Sequence, residues 1–298
     1  MSTHSPRSEN LTGILLMLAA MALFAVEDLF LKLAATGLPI GQVILISAGL
    51  GLPVFVVMAW RQGQRILVKD ALQPAVILRN IGEVVGAASY VAALAVVPLG
   101  TVAAVLQAMP LFMTMGAALI LGETVGWRRW AAILVGFLGV IMVIQPGTDG
   151  FRLEAMLVLI SVAGIVLRDL ASRAIPQRVT TAQVSAWGLM SVTALGLGMI
   201  AASGEVRAMT GLEVLVLAGA VAFGTAGYWA VTKASRTGEV SVVAPFRYSR
   251  LVFSMGIGVV FLNERPDLLT LAGAAVIVAS GLYAFARERA RKRASLMA

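Results

Sequence analysis

Apolar runs of about 20 residues, separated by breaks of only a few, leave this chain few ways to fold. A helix crossing a ~30 Å hydrocarbon core needs about 20 apolar residues, and the sequence supplies such runs at 11–33, 40–60, 74–96, 99–121, 128–146, 153–174, 181–202, 212–233, 240–262 and 268–286. The breaks carry turn chemistry or charge: Thr36-Gly37-Leu38-Pro39, Arg61-Gln62-Gly63-Gln64-Arg65, Pro98-Leu99-Gly100, Pro146-Gly147 and Thr237-Gly238. The Pro98–Gly100 break is short enough to require a tight antiparallel hairpin of spans three and four. Only 13% of the 298 residues are charged, about half the ~25% of soluble domains, and the mean hydropathy is +0.92. Too little chain is left between spans for a soluble domain.

Several chemistries are excluded at this stage. The chain has no cysteine, so disulfides, thiolate metal sites and cysteine nucleophiles are absent. Its one histidine, His4, lies in the polar tail 1–10. No metal, cofactor or catalytic residue is therefore expected. The net charge of +8 comes from basic residues scattered singly through short loops, which argues against a nucleic-acid partner. The first apolar run is too long for a signal-peptide core and is read as a retained helix.

Cytoplasmic loops of membrane proteins carry an excess of Lys and Arg. With both termini on one side, that side receives Arg7, Arg61, Arg65, Lys69, Arg128, Arg129, Arg173, Arg178, Lys233, Arg236 and the tail's Arg287, Arg289, Arg291, Lys292 and Arg293. The other side receives Lys32, Arg152, Arg207 and Arg265, so the bias is 15 against four. Both termini are expected in the cytoplasm of a bacterial inner-membrane protein, with 287–298 a basic cytoplasmic tail. Trp60, Trp127, Trp130 and Trp229 then fall near cytoplasmic helix ends, with Trp187 slightly deeper, as interfacial aromatics do.

The halves 11–146 and 153–286 align weakly. Shifted by 141 residues, Val102, Ala103, Phe112, Leu121 and Glu123 fall on Val243, Ala244, Phe253, Leu262 and Glu264. Five spans is an odd number, so the second copy must insert upside down. Inverted repeats around a midplane site are a recurring transporter architecture.

Two stretches carry a resemblance. One holds Tyr90-Val91-Ala92-Ala93-Leu94, the Pro98 hairpin, Pro110 and Leu121-Gly122-Glu123. The other holds Tyr228, Ala234, Arg236, Gly238, Pro245-Phe246-Arg247-Tyr248 and Phe261-Leu262-Asn263-Glu264. With them the chain resembles the drug/metabolite transporter superfamily in its EamA-type ten-helix branch, and within it the YddG-type exporters of aromatic and other amino acids. The resemblance implies export. Asn263 stands where the pattern has glycine, which predicts a local departure from inversion symmetry.

Eight charged residues lie inside predicted spans and away from their ends: Arg79, Arg168, Arg247 and Arg250, with Glu27, Asp28, Glu83 and Asp169. A charge at the bilayer centre costs about 2.5–3.5 kcal/mol on insertion scales, so these must pair or line water. Arg79 and Glu83 are i,i+4 neighbours, and Asn80, Gly86 and Tyr90 extend their stripe. The stripe either lines a cavity or is a structural ion pair that fixes packing. Arg168, next to Asp169, either belongs to the interior or snorkels to the interface. Glu27 and Asp28 either neutralise arginines, bind a substrate ammonium or carry a proton. Arg250 joins them as a charge-pairing or gating candidate. Pro110, three residues after Gln107, and Pro245 are each expected to break a span near the midplane, where free backbone is tolerated only against protein or a cavity.

The expected fold is an all-α membrane bundle of ten helices in two inverted five-helix repeats, enclosing a cavity lined mainly by spans one, three, four, six, eight and nine. A small amphipathic metabolite such as an amino acid suits it. Arg247 or Arg79 would hold a carboxylate, a carboxylate side chain or Gln107 an ammonium, and Tyr90, Trp187 and Tyr248 an apolar group. Membrane lipid is the other expected partner, and the protein is expected as a monomer or weak homodimer. The rival readings are a structural or receptor-like bundle and an intramembrane enzyme, which lacks the residues it would need.

Overall fold

The computed structural model describes residues 6–146, 153–234, 237 and 240–297. His4, Gly147, Arg152, Arg236 and Gly238 lie outside the described residues. The helices are α1 (Pro6–Gly37), α2 (Ile40–Arg61), α3 (Pro74–Val96), α4 (Leu99–Leu106), α5 (Met109–Ile120), α6 (Trp127–Ile144), α7 (Met156–Ser172), α8 (Thr181–Ser203), α9 (Gly211–Ala234), α10 (Val240–Val243), α11 (Ser249–Leu262) and α12 (Leu268–Met297). They form ten spans: α4 with α5 makes the fourth, and α10 with α11 the ninth. Local chemistry sets the ends. Pro74 opens α3, where a missing N–H leaves nothing unpaired. Thr180 and Gln183 form a reciprocal capping box at the start of α8. The span boundaries agree with the sequence reading to within a few residues, except that α1 begins inside the polar tail and α12 continues beyond residue 286.

Both expected breaks are present. The fourth span is interrupted at Gln107 and Ala108. Pro110 is the second residue of α5, so it starts the second half of the span instead of kinking a continuous helix. The ninth span passes through a 3-10 turn at Ala244–Tyr248, with Pro245 near its start. Under the 141-residue shift the two interruptions coincide.

Helix pairing shows the repeat. α1 packs along α9 and α3 along α7, while α2 pairs with α8 and α6 with α12. The shift carries α1 onto α7 and α3 onto α9, so the first two pairs exchange and the last two map onto themselves. The chain is an all-α bundle of two inverted five-helix repeats. In lipid, close packing replaces the hydrophobic drive between helices, and small residues permit it. A Cβ on Gly82 would meet the backbone nitrogen of Arg168 at 2.6 Å, and one on Gly164 would meet that of Gly86 at 2.5 Å. Gly139 and Gly273 meet in the same way between α6 and α12.

Both repeats also end alike. Glu123 N–H donates to the carbonyl of Ala117 and Glu264 N–H to that of Gly258, equivalent positions and the six-to-one bond of a Schellman cap. Gly122 has φ +68° and Asn263 φ +53°. Asparagine tolerates the left-handed region better than other side chains, so the departure expected at Asn263 does not occur.

Candidate functional site

The intramembrane charges form two clusters. In the first, Arg250 at the start of α11 donates to Asp28 of α1 from Nη2 at 2.7 and 2.9 Å and from Nε at 3.2 Å. Tyr90 of α3 donates its hydroxyl to the same carboxylate and accepts from Arg250 at 3.1 Å. The guanidinium lies over the Phe24 ring, 5.3 Å from its centroid, a cation–π placement. Three elements from both repeats are tied at one buried carboxylate.

The second cluster joins α3 and α7. Arg79 meets Glu83 at 2.5 Å and donates to Asn80 Oδ1 at 3.1 Å. Arg168 reaches Glu83 at 3.3 Å and Asp169 at 2.7 Å. Glu83 therefore serves two arginines. Arg79 Nε is buried without a hydrogen-bond partner. Its guanidinium fills the space in front of Gly188 on α8, where a Cβ would collide with it.

The predicted stripe along α3 is thus divided. Arg79 and Glu83 belong to one cluster, and Tyr90 to the other. Gly86, expected to extend the stripe, is occupied by helix packing: it faces α7, and its carbonyl accepts from Ser161 Oγ at 3.0 Å. Trp187 is only 4% exposed and packs among Ala59, Ile66, Val76, Ala182 and Ala186, with Nε1 donating to the carbonyl of Ile66 at 2.8 Å. That places it in the packing beneath the loop after α2.

Two charged side chains stand apart from the clusters. Arg247 is exposed within the turn of the ninth span, and its guanidinium makes no hydrogen bond or ion pair among the described residues. Asp169 attracts it from a distance. Gln107, at the break of the fourth span, donates to the carbonyls of Tyr248 at 3.0 Å and Arg247 at 3.4 Å, so the two breaks face one another. The Tyr248 hydroxyl rests against Gly281 of α12. Glu27 lies over Gly224 of α9 with no hydrogen bond or ion pair among the described residues. Under the repeat, Glu27 and Gly224 correspond to Arg168 and Glu83. Position 168 faces the carboxylate of Glu83 from the first repeat, whereas Glu27 faces Gly224 from the second.

Two contributors were missed in the sequence. Phe24 looked like one apolar residue among many. Lys32, counted only toward the charge bias at a helix end, donates to the carbonyls of Leu94 at 2.9 Å and Val97 at 2.6 Å and lies 4.0 Å from Glu264. Its signal was the spacing Asp28…Lys32, which recurs as Asp169…Arg173.

Among the described residues no group of His, Cys, Asp or Glu is placed to hold a metal ion. Nine helices among them are long and apolar enough to cross a membrane, and the broken ninth span completes the ten. The model of the EamA-like transporter family matches residues 11–145 and again 152–285. A riboflavin transporter of Rhizobium johnstonii is 30% identical over 72% of this chain and 71% of its own length. An S-adenosylmethionine uptake transporter of Rickettsia felis is 25% identical over 72% of each chain. The pseudopaline exporter CntI of Pseudomonas aeruginosa is 26% identical over 90% of this chain and 93% of its own. One crystal structure shares the fold over 97% of this chain and 99% of that one, with a TM-score of 0.57 at 22% identity. These relatives do not converge on amino acids. The chain belongs to the EamA-like transporter family: it is a multi-pass membrane protein and a secondary transporter of small metabolites, not an enzyme.

Proposed function

We propose that the protein exports amphipathic, carboxylate-bearing metabolites, aromatic or other amino acids among them, by alternating access around the broken fourth and ninth spans. One observation carries the reading. Arg79, Arg168 and Arg250 each have a carboxylate, whereas Arg247 sits exposed at the break without one. A cation with no hydrogen-bonded or ion-pair partner among the described residues at that depth is suited to a substrate anion, because the substrate then supplies the compensation that an intramembrane charge requires.

Glu27 supports the same reading from the opposite sign. It lies over a glycine where its repeat image has an ion partner, which leaves it for a substrate ammonium. Tyr248, Asn80 and Gln107 would complete the lining. The Asp28–Tyr90–Arg250 and Arg79–Glu83–Arg168–Asp169 clusters hold the helices on which that lining is mounted. Trp187 supports the lining from behind. The basic bias of the loops supports an orientation with both termini in the cytoplasm of a bacterial inner membrane.

The test is uptake into liposomes with labelled amino acids, their methyl esters and riboflavin, with and without a pH gradient. Arg247→Met is expected to abolish movement of free amino acids while leaving thermal stability unchanged, and esters are expected to be poor substrates for the native chain. Riboflavin uptake that survives Arg247→Met, with no amino-acid uptake by the native chain, would refute the carboxylate reading.

A further inference from the structure

The 141-residue shift relates more than the terminal glutamates. It carries Lys32 onto Arg173 and Asp28 onto Asp169, so each repeat holds a cation four or five residues beyond its charged pair and a glutamate just after its broken span. At the end opposite the termini these groups are engaged across the two repeats. Glu264 accepts the N–H of Leu99 at 2.6 Å and that of Gly100 at 3.1 Å. Lys32 lies beside it, holding the carbonyls of Leu94 and Val97. A carboxylate on two amides at the start of an eight-residue helix is favoured by hydrogen bonding and by the helix dipole together. Both side chains are enclosed, Lys32 at 13% and Glu264 at 12% exposure.

At the other end the same residues are disengaged. Glu123 and Arg173 pair with one another at 2.8 Å, and their side chains are 52% and 50% exposed. Neither bonds to the ninth span among the described residues. The packing shows the same difference, since α1 lies against α3 while their images α7 and α9 make no comparable contact. Two ends built from equivalent residues are in opposite states in one structure.

We propose that Lys32 with Glu264 and Arg173 with Glu123 are the latches of two alternating gates. The first is shut here at the end opposite the termini, and the second is open at the end that bears them. In the alternate state Glu264 leaves the amides of Leu99 and Gly100, and Glu123 becomes enclosed toward the start of the ninth span. The inference rests on the assignment to a transporter family and not on which molecule is carried, and its test needs no substrate.

The chain has no cysteine, so a single Val102→Cys reporter is unambiguous. Val102 is 1% exposed on α4, one turn inside the closed latch. Its labelling by a membrane-impermeant maleimide is followed from each face of the membrane. Glu264→Ala breaks both amide contacts of the closed latch and is expected to raise the labelling rate from the face opposite the termini at least about tenfold, since each charge-assisted hydrogen bond lost from the closed state alone shifts a two-state equilibrium by about that factor. Glu123→Ala removes from the present state only an exposed ion pair, which contributes little, but from the alternate state an enclosed latch, so it is expected to lower the same rate. Glu264→Gln keeps an acceptor for the amides and is expected to raise labelling about threefold; it decides the matter if Glu264→Ala does not fold. Thermal stability is measured on every variant. Unchanged labelling in folded Glu264 variants, or a shift in the same direction for Glu123→Ala, would overturn the proposal.

Discussion

Glu83 should be a more costly residue to remove than Arg79, although the two form one ion pair. Arg79→Met leaves the Glu83 carboxylate with Arg168 at 3.3 Å, and it also eliminates the buried Nε that has no partner. Its loss is then one charge-assisted contact, about 1.5–3 kcal/mol, reduced by that relief. Glu83→Gln strands Arg79, whose side chain is 9% exposed and keeps only Asn80. Leaving a buried charge uncompensated costs about 3–5 kcal/mol. Arg168 adds little to this because Asp169 remains at 2.7 Å. The difference between the two single variants is therefore about 2 kcal/mol, or about 4 °C in thermal midpoint at roughly 2 °C per kcal/mol for a chain of this size. The double variant should recover most of the loss, since no unpaired carboxylate or arginine is left behind. The measurement is the thermal midpoint of purified protein in one detergent. Equal destabilisation by the two single variants would show that Glu83 does not serve both arginines and would refute the shared-carboxylate geometry.

Three further outcomes are expected. A reporter fused after Ala298 should be active only in a form that works in the cytoplasm, and one inserted at Thr36–Pro39 only in a form that works outside it; the reverse would overturn the charge bias. Trp187→Ala should lower stability by about 3–5 kcal/mol, because it empties a packed site and frees the Ile66 carbonyl, whereas Tyr248→Ala should reduce transport at nearly unchanged stability; expression, thermal midpoint and uptake separate the two. In the loop after α2, the Arg178 guanidinium holds the Asp70 carboxyl below its ordinary 3.8, so this pair is fully formed above that value and is lost only as pH falls through the lowered one; protease susceptibility of residues 62–73 should stay flat from pH 8 to pH 5 and rise only under stronger acid.

The bundle was legible because its signal is coarse. Length and apolarity fix a span without reference to any neighbour, and Pro110 and Pro245 marked the breaks to within a few residues. The repeat was legible only in its fourth and ninth spans, where Val102, Ala103, Phe112, Leu121 and Glu123 match Val243, Ala244, Phe253, Leu262 and Glu264. Which charges pair was not legible. Helical spacing joins Arg79 to Glu83 because both lie on one helix, but it says nothing of Arg168 from α7 or of Arg250 reaching Asp28 across 222 residues. Tyr90 and Gly86 illustrate the limit. Both continue the Glu83 face of α3, yet that face passes from α7 to α1 along its length, so neighbours on one helix serve different partners. Trp187 was misplaced for a related reason, since an amphipathic ring at moderate depth fits a cavity wall as well as the underside of a loop. Asn263 shows the reverse error. Its side chain differs from glycine, but its backbone adopts the same left-handed turn.

Symmetry is kept at the ends of this molecule and broken at its centre, and that division separates two tasks. Lys32 and Arg173 share a charge, as do Glu264 and Glu123, so either end can close by the same contacts. At the centre the images differ in kind. Glu27 corresponds to Arg168, Arg250 to Met109, Tyr90 to Val231, Arg247 to Leu106 and Glu83 to Gly224. A site built from such unlike images presents a different surface from each repeat, with an unpaired cation at the break of one and a carboxylate over a glycine against the other. An asymmetric substrate can then bind in one orientation while the gates alternate. A bundle whose only task was to be stable would have no reason to keep its charged pairs equivalent at the rims and to abandon the equivalence where burial makes an unpaired charge most expensive.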